Sequence, residues 1–302
     1  MSTTRSRSIL LLGGPEAGKS NYLGRLWLAL QQRTGQLASH GMPTQVEYLN
    51  SLSNSLLQGE FVARTSRTVV EKNSIPVQWS DGEGTIFVPD CSGEAWNRIH
   101  RQRSWSDDWE SAIPELTGCV LFVRAGDPDV VPALDWATSG PILHGFELEN
   151  SSPAEEDESE LILPTQVVLV DWLNCLLNAF VQTRPHHTPL RLAVVVSAWD
   201  VIPLEYKSLD PARYIDANFP LVHDFLSTNL DRIEAQFFGL SVAGGDFQIQ
   251  PDFQEQYLAG DPNHAGYVIT ADGNGNRECS DATLPAAWAL RCDEPNKNEI
   301  EV

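Results

Sequence analysis

Positive charge is scarce in this chain. Lysine and arginine total 20 against 41 aspartates and glutamates, a formal net charge of -21. Such a surface repels a phosphate backbone and cannot displace its counterions, which removes nucleic acid as a main partner. Cysteines are few and unpatterned: Cys91, Cys119, Cys175, Cys279 and Cys292 are odd in number and show no CxxC spacing. That argues against a disulfide framework and against a zinc site, and it suits a reducing cytoplasm. Long apolar runs are missing as well. The opening MSTTRSRSILLLGG sets basic residues before only four strongly apolar residues in a row, too few for a signal-peptide core or a membrane span, so no membrane partner is expected. G-x-S-x-G is absent, which gives no support to nucleophile-elbow hydrolysis.

What is there is a normal globular composition, 42% apolar and 9% aromatic over 302 residues, enough for one large core or two modest ones. Ser8 to Leu12 predicts a buried strand, and Lys19 to Gln32 a helix with Tyr22, Leu23, Leu26, Trp27 and Leu30 at helical spacing. A polar segment runs to about Asn73. Ser74 to Ser80 and Thr85 to Pro89, flanking Asp81-Gly82-Glu83-Gly84, predict a β-hairpin. Gly118 to Arg124 predicts another strand, followed by an acidic loop over 125–163 whose ENSSPAEEDESE core has the composition of a solvated segment. Pro164 opens a helix reaching about Gln182, Arg191 to Val196 is a buried strand, Leu221 to Phe237 a helix and Phe238 to Ala243 a last strand. Residues 244–283 have no clear period and read as an irregular insertion. Leu284 to Arg291 closes the domain as a short helix, so a single domain over 1–292 is expected, with a flexible tail over 293–302. Continuously apolar strands alternating with helices imply an α/β fold, a doubly wound, mainly parallel sheet with one antiparallel edge strand.

Gly13-Gly14-Pro15-Glu16-Ala17-Gly18-Lys19-Ser20 fits G-x-x-x-x-G-K-[ST] and lies between the predicted strand and helix, where its mechanism requires it. Glycines let the backbone turn its N–H groups inward onto a β-phosphate at the positive end of the helix. Lys19 then bridges the β- and γ-phosphates, Ser20 holds Mg²⁺ through its hydroxyl, and Asn21 joins the nucleotide contacts. Against this stands only a chance glycine-rich turn. A second cluster is expected at the end of a neighbouring strand. There Asp90-Cys91-Ser92-Gly93 has D-x-x-G spacing: Asp90 serves Mg²⁺, and the Gly93 N–H contacts a γ-phosphate. Alone the string is commonly just a turn. Its position after the hairpin gives it value.

GGPEAGKS, then a hairpin, then DCSGE, then a strand ending in SAWD, together resemble the translation-factor-like (TRAFAC) class of P-loop GTPases. The resemblance implies GTP and GDP as ligands, and a base-reading [NT]-K-x-D at the last place, whose Asp accepts from guanine N1 and N2. Asp200 keeps that position; Ser197 replaces the Asn or Thr and Ala198 the Lys. A Ser197 hydroxyl still suits tying the loops together, and Trp199 offers stacking on the base, though packing against a neighbouring helix is its commoner fate. Glu94 stands where the class keeps a Gln or His to orient the attacking water, which makes Lys19, Gly93 and Glu94 the expected catalytic residues. Ser241, Val242 and Ala243 stand for the S-A-[KL] loop whose backbone N–H meets guanine O6. A Mg²⁺-binding threonine is implied at Thr65 or Thr68, each following an arginine, Arg64 or Arg67, that suits either an internal arginine finger or an ordinary polar loop.

GGPxAGKSxYL, DxSGE and VxSxWD look most like the bacterial double-GTPase group, in which two related GTPases work in tandem in regulatory or conflict systems. This chain has one phosphate loop, so the resemblance implies a partner GTPase, or an effector, on a separate polypeptide. The expected function is a GTP-binding switch with slow, Mg²⁺-dependent hydrolysis to GDP and phosphate. The alternatives are a P-loop ATPase or small-molecule kinase, with Arg98, Arg101 and Arg103 as lid residues, and a nucleotide-bound scaffold without useful turnover. His186 and His187 read as ordinary loop histidines. Trp96, Trp105 and Trp109 read as packing, and Cys91 carries no assigned chemistry.

Overall fold

The computed structural model describes residues 7–62, 73–88, 116–126, 164–183, 188–203, 206, 208–272 and 275–290. Along the chain run β1 (Arg7–Gly13), α1 (Lys19–Gln32), β2 (Ala38–Ser39), α2 (Val46–Leu57), β3 (Asn73–Trp79), β4 (Gly82–Val88), β5 (Leu116–Arg124) and α3 (Thr165–Thr183). They are followed by β6 (Leu190–Ser197), α4 (Pro211–Asn218), α5 (Pro220–Ser227), β7 (Ile233–Ser241), α6 (Pro251–Ala259), β8 (Tyr267–Asp272), β9 (Gly275–Cys279) and α7 (Leu284–Leu290). The strands form one sheet in the order β2-β3-β4-β1-β5-β6-β7-β8-β9. Its centre, β4-β1-β5-β6-β7, is parallel throughout.

Burial explains that centre. Every residue of β6, and all of β5 except its last, is buried, as parallel strands covered on both faces must be. On one face α1, α2 and α7 enclose Ile9, Leu11, Val120, Phe122 and Val195. On the other, α3, α4 and α5 cover Leu10, Leu12, Leu121, Val194 and Val196. The α/β doubly wound expectation is met. Because the five central strands run the same way, their carboxyl ends share one edge of the sheet, and the turns leaving β1, β5, β6 and β7 gather there.

Four expectations need correction. Antiparallel pairing occurs at both edges of the sheet, β2 and β3 on one side and β8 and β9 on the other. The second pair lies within 244–283, so that run is not irregular: it carries α6, then a hairpin in which Val268 and Ile269 are buried. Glycine, Asp and Asn dominate its turns and hide a short strand whose period composition alone cannot reveal. The helix expected from Leu221 to Phe237 ends at Ser227, and β7 begins at Ile233. Eight consecutive pairings with β6, from Leu190 with Ile233 to Ser197 with Leu240, override the helical tendency of that stretch. The hairpin of β3 and β4 turns at Ser80 and Asp81, two residues earlier than expected, with Trp79 paired to Gly82.

Among the described residues no helix is long and apolar enough to cross a membrane. The acidic loop's core, the tail, Asp90, Gly93, Glu94, Thr65, Thr68, the arginines proposed as finger or lid, His186, His187, Cys91, Trp96, Trp105 and Trp109 lie outside the described residues.

Candidate functional site

β1 leads directly into the glycine-rich loop. Gly18 caps α1 in the left-handed region at φ 83, and Glu16 also has positive φ, 60. That alternation of handedness turns successive backbone N–H groups to one side of the loop, the geometry of an anion nest. Bulk is excluded by the neighbours. A Cβ at Gly13 would stand 2.9 Å from both the Cβ and the carbonyl oxygen of Phe122, and one at Gly18 would stand 3.0 Å from the Ser197 side chain. Pro15 and Glu16 are exposed, Ala17 is buried, and Ser20 is half-buried at the first turn of α1. Lys19 folds back over the loop, only 8% exposed, and its ammonium donates to the Gly13 carbonyl and, at 2.6 Å, to that of Gly14. The Asn21 Oδ1 accepts from the Val62 backbone N–H at 2.9 Å and so ties α1 to the end of the described stretch 7–62.

The loop and the end of β6 are joined by one side chain. Ser197 is 4% exposed, and its hydroxyl lies 2.9 Å from the Ala17 carbonyl oxygen and 3.2 Å from that of Val123. With a single proton to donate, it favours the shorter contact to the glycine-rich loop. Ala198 then adopts φ 55, a conformation that few residues with a Cβ adopt. This turn sends the chain over β7, and Trp199 to Val201 form a single 3₁₀ turn.

Trp199 corrects the stacking role expected of it. Its indole is 4% exposed, in edge contact with Tyr214 at 5.7 Å, and it lies so close over Gly239 that a Cβ there would stand 2.5 Å from the ring. With only 4% of the residue exposed, the indole is packed in the core and offers almost no surface to a ligand. Trp199→Ala is expected to lower the unfolding free energy by about 3–5 kcal/mol, measured by urea denaturation; a loss below about 1 kcal/mol would refute the packing role.

Asp200, one residue on, is half-buried. The composition of 244–283 concealed its neighbour. Tyr267, the first residue of β8, pairs with Ser241 at the end of β7, and its phenol is pushed up to about 12 by burial and then by the negative charges of Asp200 and Glu278. Ser241 is 1% exposed and its Oγ accepts from the Gly244 N–H at 2.9 Å, closing the turn that contains Val242 and Ala243. The Val242 carbonyl accepts from Arg25 Nε at 2.7 Å. Arg25 is a second residue that sequence patterning missed, because a charged residue on a helix normally signals solvent. Burial lowers its pKa, an effect opposed by Tyr257 and Asp261.

β4 ends at Val88, parallel to β1 and paired with it, two residues before Asp90. Glycine-rich loop, β6 turn and β7 turn thus share the edge of the sheet at which β4 ends.

The family model described as Double-GTPase 1 matches residues 10–289. No curated protein matches the sequence. Among solved structures, similarity extends to the signal recognition particle receptor SRβ-GTP/SRX complex from Chaetomium thermophilum, with 12% identity, 84% of this chain and 98% of that chain covered, and a TM-score of 0.35. The GTP-bound GTPase-like domain of S. cerevisiae Ski7 gives 16% identity over 79% of this chain and 43% of that chain, with a TM-score of 0.36. The G domain of the T. maritima FeoB iron transporter gives 10% identity over 83% and 98%, with a TM-score of 0.31.

Proposed function

We propose that this chain, which belongs to the Double-GTPase 1 family and is thus a P-loop GTPase, works as a guanine-nucleotide switch that hydrolyses GTP slowly to GDP and phosphate. The observation that carries this reading is the Ser197 hydroxyl, 2.9 Å from the Ala17 carbonyl oxygen. It fixes the strand end that delivers Asp200 against the loop built for phosphates, so one ligand can span both.

In this reading the N–H groups of residues 13–18 cradle the β-phosphate, and the Lys19 ammonium exchanges its carbonyl partners for phosphate oxygens. The Asp200 carboxylate accepts from guanine N1 and N2, and a backbone N–H of the Ser241–Ala243 turn donates to O6. Glu94 orients the attacking water, and the Gly93 N–H meets the γ-phosphate. Ser20, Asp90 and Thr65 or Thr68 would hold Mg²⁺. The oxygen-rich donor set suits that hard cation, which when bound neutralises phosphate charge. Loss of the γ-phosphate then releases residues near 60–70 and 93–110, changing the surface offered to a protein partner such as a second GTPase or an effector.

Thermal stabilisation by GTP, GDP, ATP and a non-hydrolysable GTP analogue, followed by phosphate release, tests this. At 100 times Kd a nucleotide adds about 2.7 kcal/mol, so GTP and GDP should raise the melting temperature by several degrees and ATP should not. Preferential stabilisation by ATP would overturn the guanine assignment, and guanine binding without phosphate release would leave a scaffold and not an enzyme.

A further inference from the structure

Arg25 is 3% exposed in the middle of α1, and all of its described partners lie beyond β7. Nε donates to the Val242 carbonyl at 2.7 Å, Nη1 to the carbonyls of Pro262 at 2.7 Å and Asn263 at 3.1 Å, and Nη2 to the Tyr257 hydroxyl at 2.9 Å. Burying a guanidinium costs several kcal/mol unless its donors are matched by acceptors. An apolar residue would fill the same space without that cost, so packing alone does not account for an arginine here. What the fork supplies is direction. Fixing the Val242 carbonyl sets the Val242–Ala243 peptide plane and with it the direction of the Ala243 N–H, while the Ser241 hydroxyl, accepting from the Gly244 N–H, closes the same turn.

We propose that Arg25 is the positioning residue for recognition of the guanine O6 edge: by holding the Val242 carbonyl it aims the Ala243 N–H of the Ser241–Ala243 turn at that oxygen. The proposal rests on the base-reading assignment of Asp200 and of the Ser241–Ala243 turn. Through Tyr257 the same guanidinium is linked to residues 59–61. Tyr257 stacks edge-on to Phe247 at 4.9 Å, Phe247 meets Phe61 at 4.6 Å, and Gln254 donates to the Gly59 carbonyl at 3.0 Å. Arg25 therefore links the turn to the aromatic cluster of Tyr257, Phe247 and Phe253.

The test compares GDP with 6-thio-GDP, in which sulfur, a weak acceptor, replaces O6 while N1–H and the 2-amino group remain, and with IDP, which keeps O6 but lacks the 2-amino group. For the unaltered protein the 6-thio-GDP to GDP ratio of Kd is expected near tenfold, the worth of one well-aimed hydrogen bond. In Arg25→Met that ratio should fall toward one while the IDP to GDP ratio, which reports Asp200, stays as it was. A merely structural role would weaken GDP and 6-thio-GDP alike, and an unchanged ratio in a folded variant overturns the proposal. Should Arg25→Met fail to fold, Arg25→Lys keeps the charge but replaces the fork with a single ammonium, and the same fall is expected; an unchanged ratio overturns the proposal there too. A ratio of one in the unaltered protein refutes the assignment of the Ser241–Ala243 turn to O6 and the proposal with it, whereas a tenfold ratio that survives both substitutions refutes the role of Arg25 alone.

Discussion

Asp200→Asn is expected to weaken GTP and GDP binding by about a hundredfold and to improve binding of xanthosine di- and triphosphate. The reason is the donor inventory. A carboxylate offers only acceptors, so it matches two donors, guanine N1–H and the 2-amino group. An amide offers one acceptor and one donor, which matches xanthine, where a carbonyl oxygen replaces the amino group. Each bond to a charged acceptor contributes about 1.5–3 kcal/mol, and the unmatched amino group adds a desolvation cost. The main chain has little reason to move. Asp200 is half-buried in a short turn whose rigidity comes from its neighbours, Trp199 over Gly239 and Ser197 on Ala17. Isothermal titration with the four nucleotides checks the exchange. GTP affinity within threefold of the unaltered protein would show that the turn after β6 does not read the base.

The carboxyl edge of the sheet was legible because its signals are local. A phosphate loop needs glycines where a Cβ would strike Phe122 or Ser197, and those glycines stand in the sequence at fixed spacing. Ser197 was legible for a similar reason, since a short hydroxyl at a strand end has few other uses. Trp199 illustrates the opposite case. Its place beside Asp200 suggested a ligand contact, but what decides its role is Gly239 on the adjacent strand and Tyr214 on α4, both remote in sequence. Arg25 and Tyr267 were hidden for the same reason. One pairs with residues more than two hundred positions away, and the other depends on β8, a strand only six residues long inside a run rich in turn formers. Local pattern reports what a residue can do, whereas the edge strands β8 and β9 arise from long-range pairing that no local window contains.

Lys19→Met is expected to reduce GTP affinity by about a hundredfold or more and to bring phosphate release below detection, while leaving urea denaturation of the nucleotide-free protein nearly unchanged. The argument turns on where the ammonium already lies. At 8% exposure it has given up most of its hydration, and the Gly13 and Gly14 carbonyls hold it across the loop. Folding therefore bears much of the desolvation cost, and phosphate oxygens replace carbonyl oxygens with little further reorganisation. Methionine keeps the stem and its packing but supplies no charge to offset the triphosphate. Lys19→Arg should fail as well: its planar fork is wider than an ammonium, and Phe122, packed against Gly13, leaves that end of the loop little room to widen. Equal loss in both variants, with folding intact by circular dichroism, is the signature of a compact cation held at one point. An Arg variant that binds GTP as well as the unaltered protein would mean that net charge suffices, and that the geometry of the glycine-rich loop does not select its lysine.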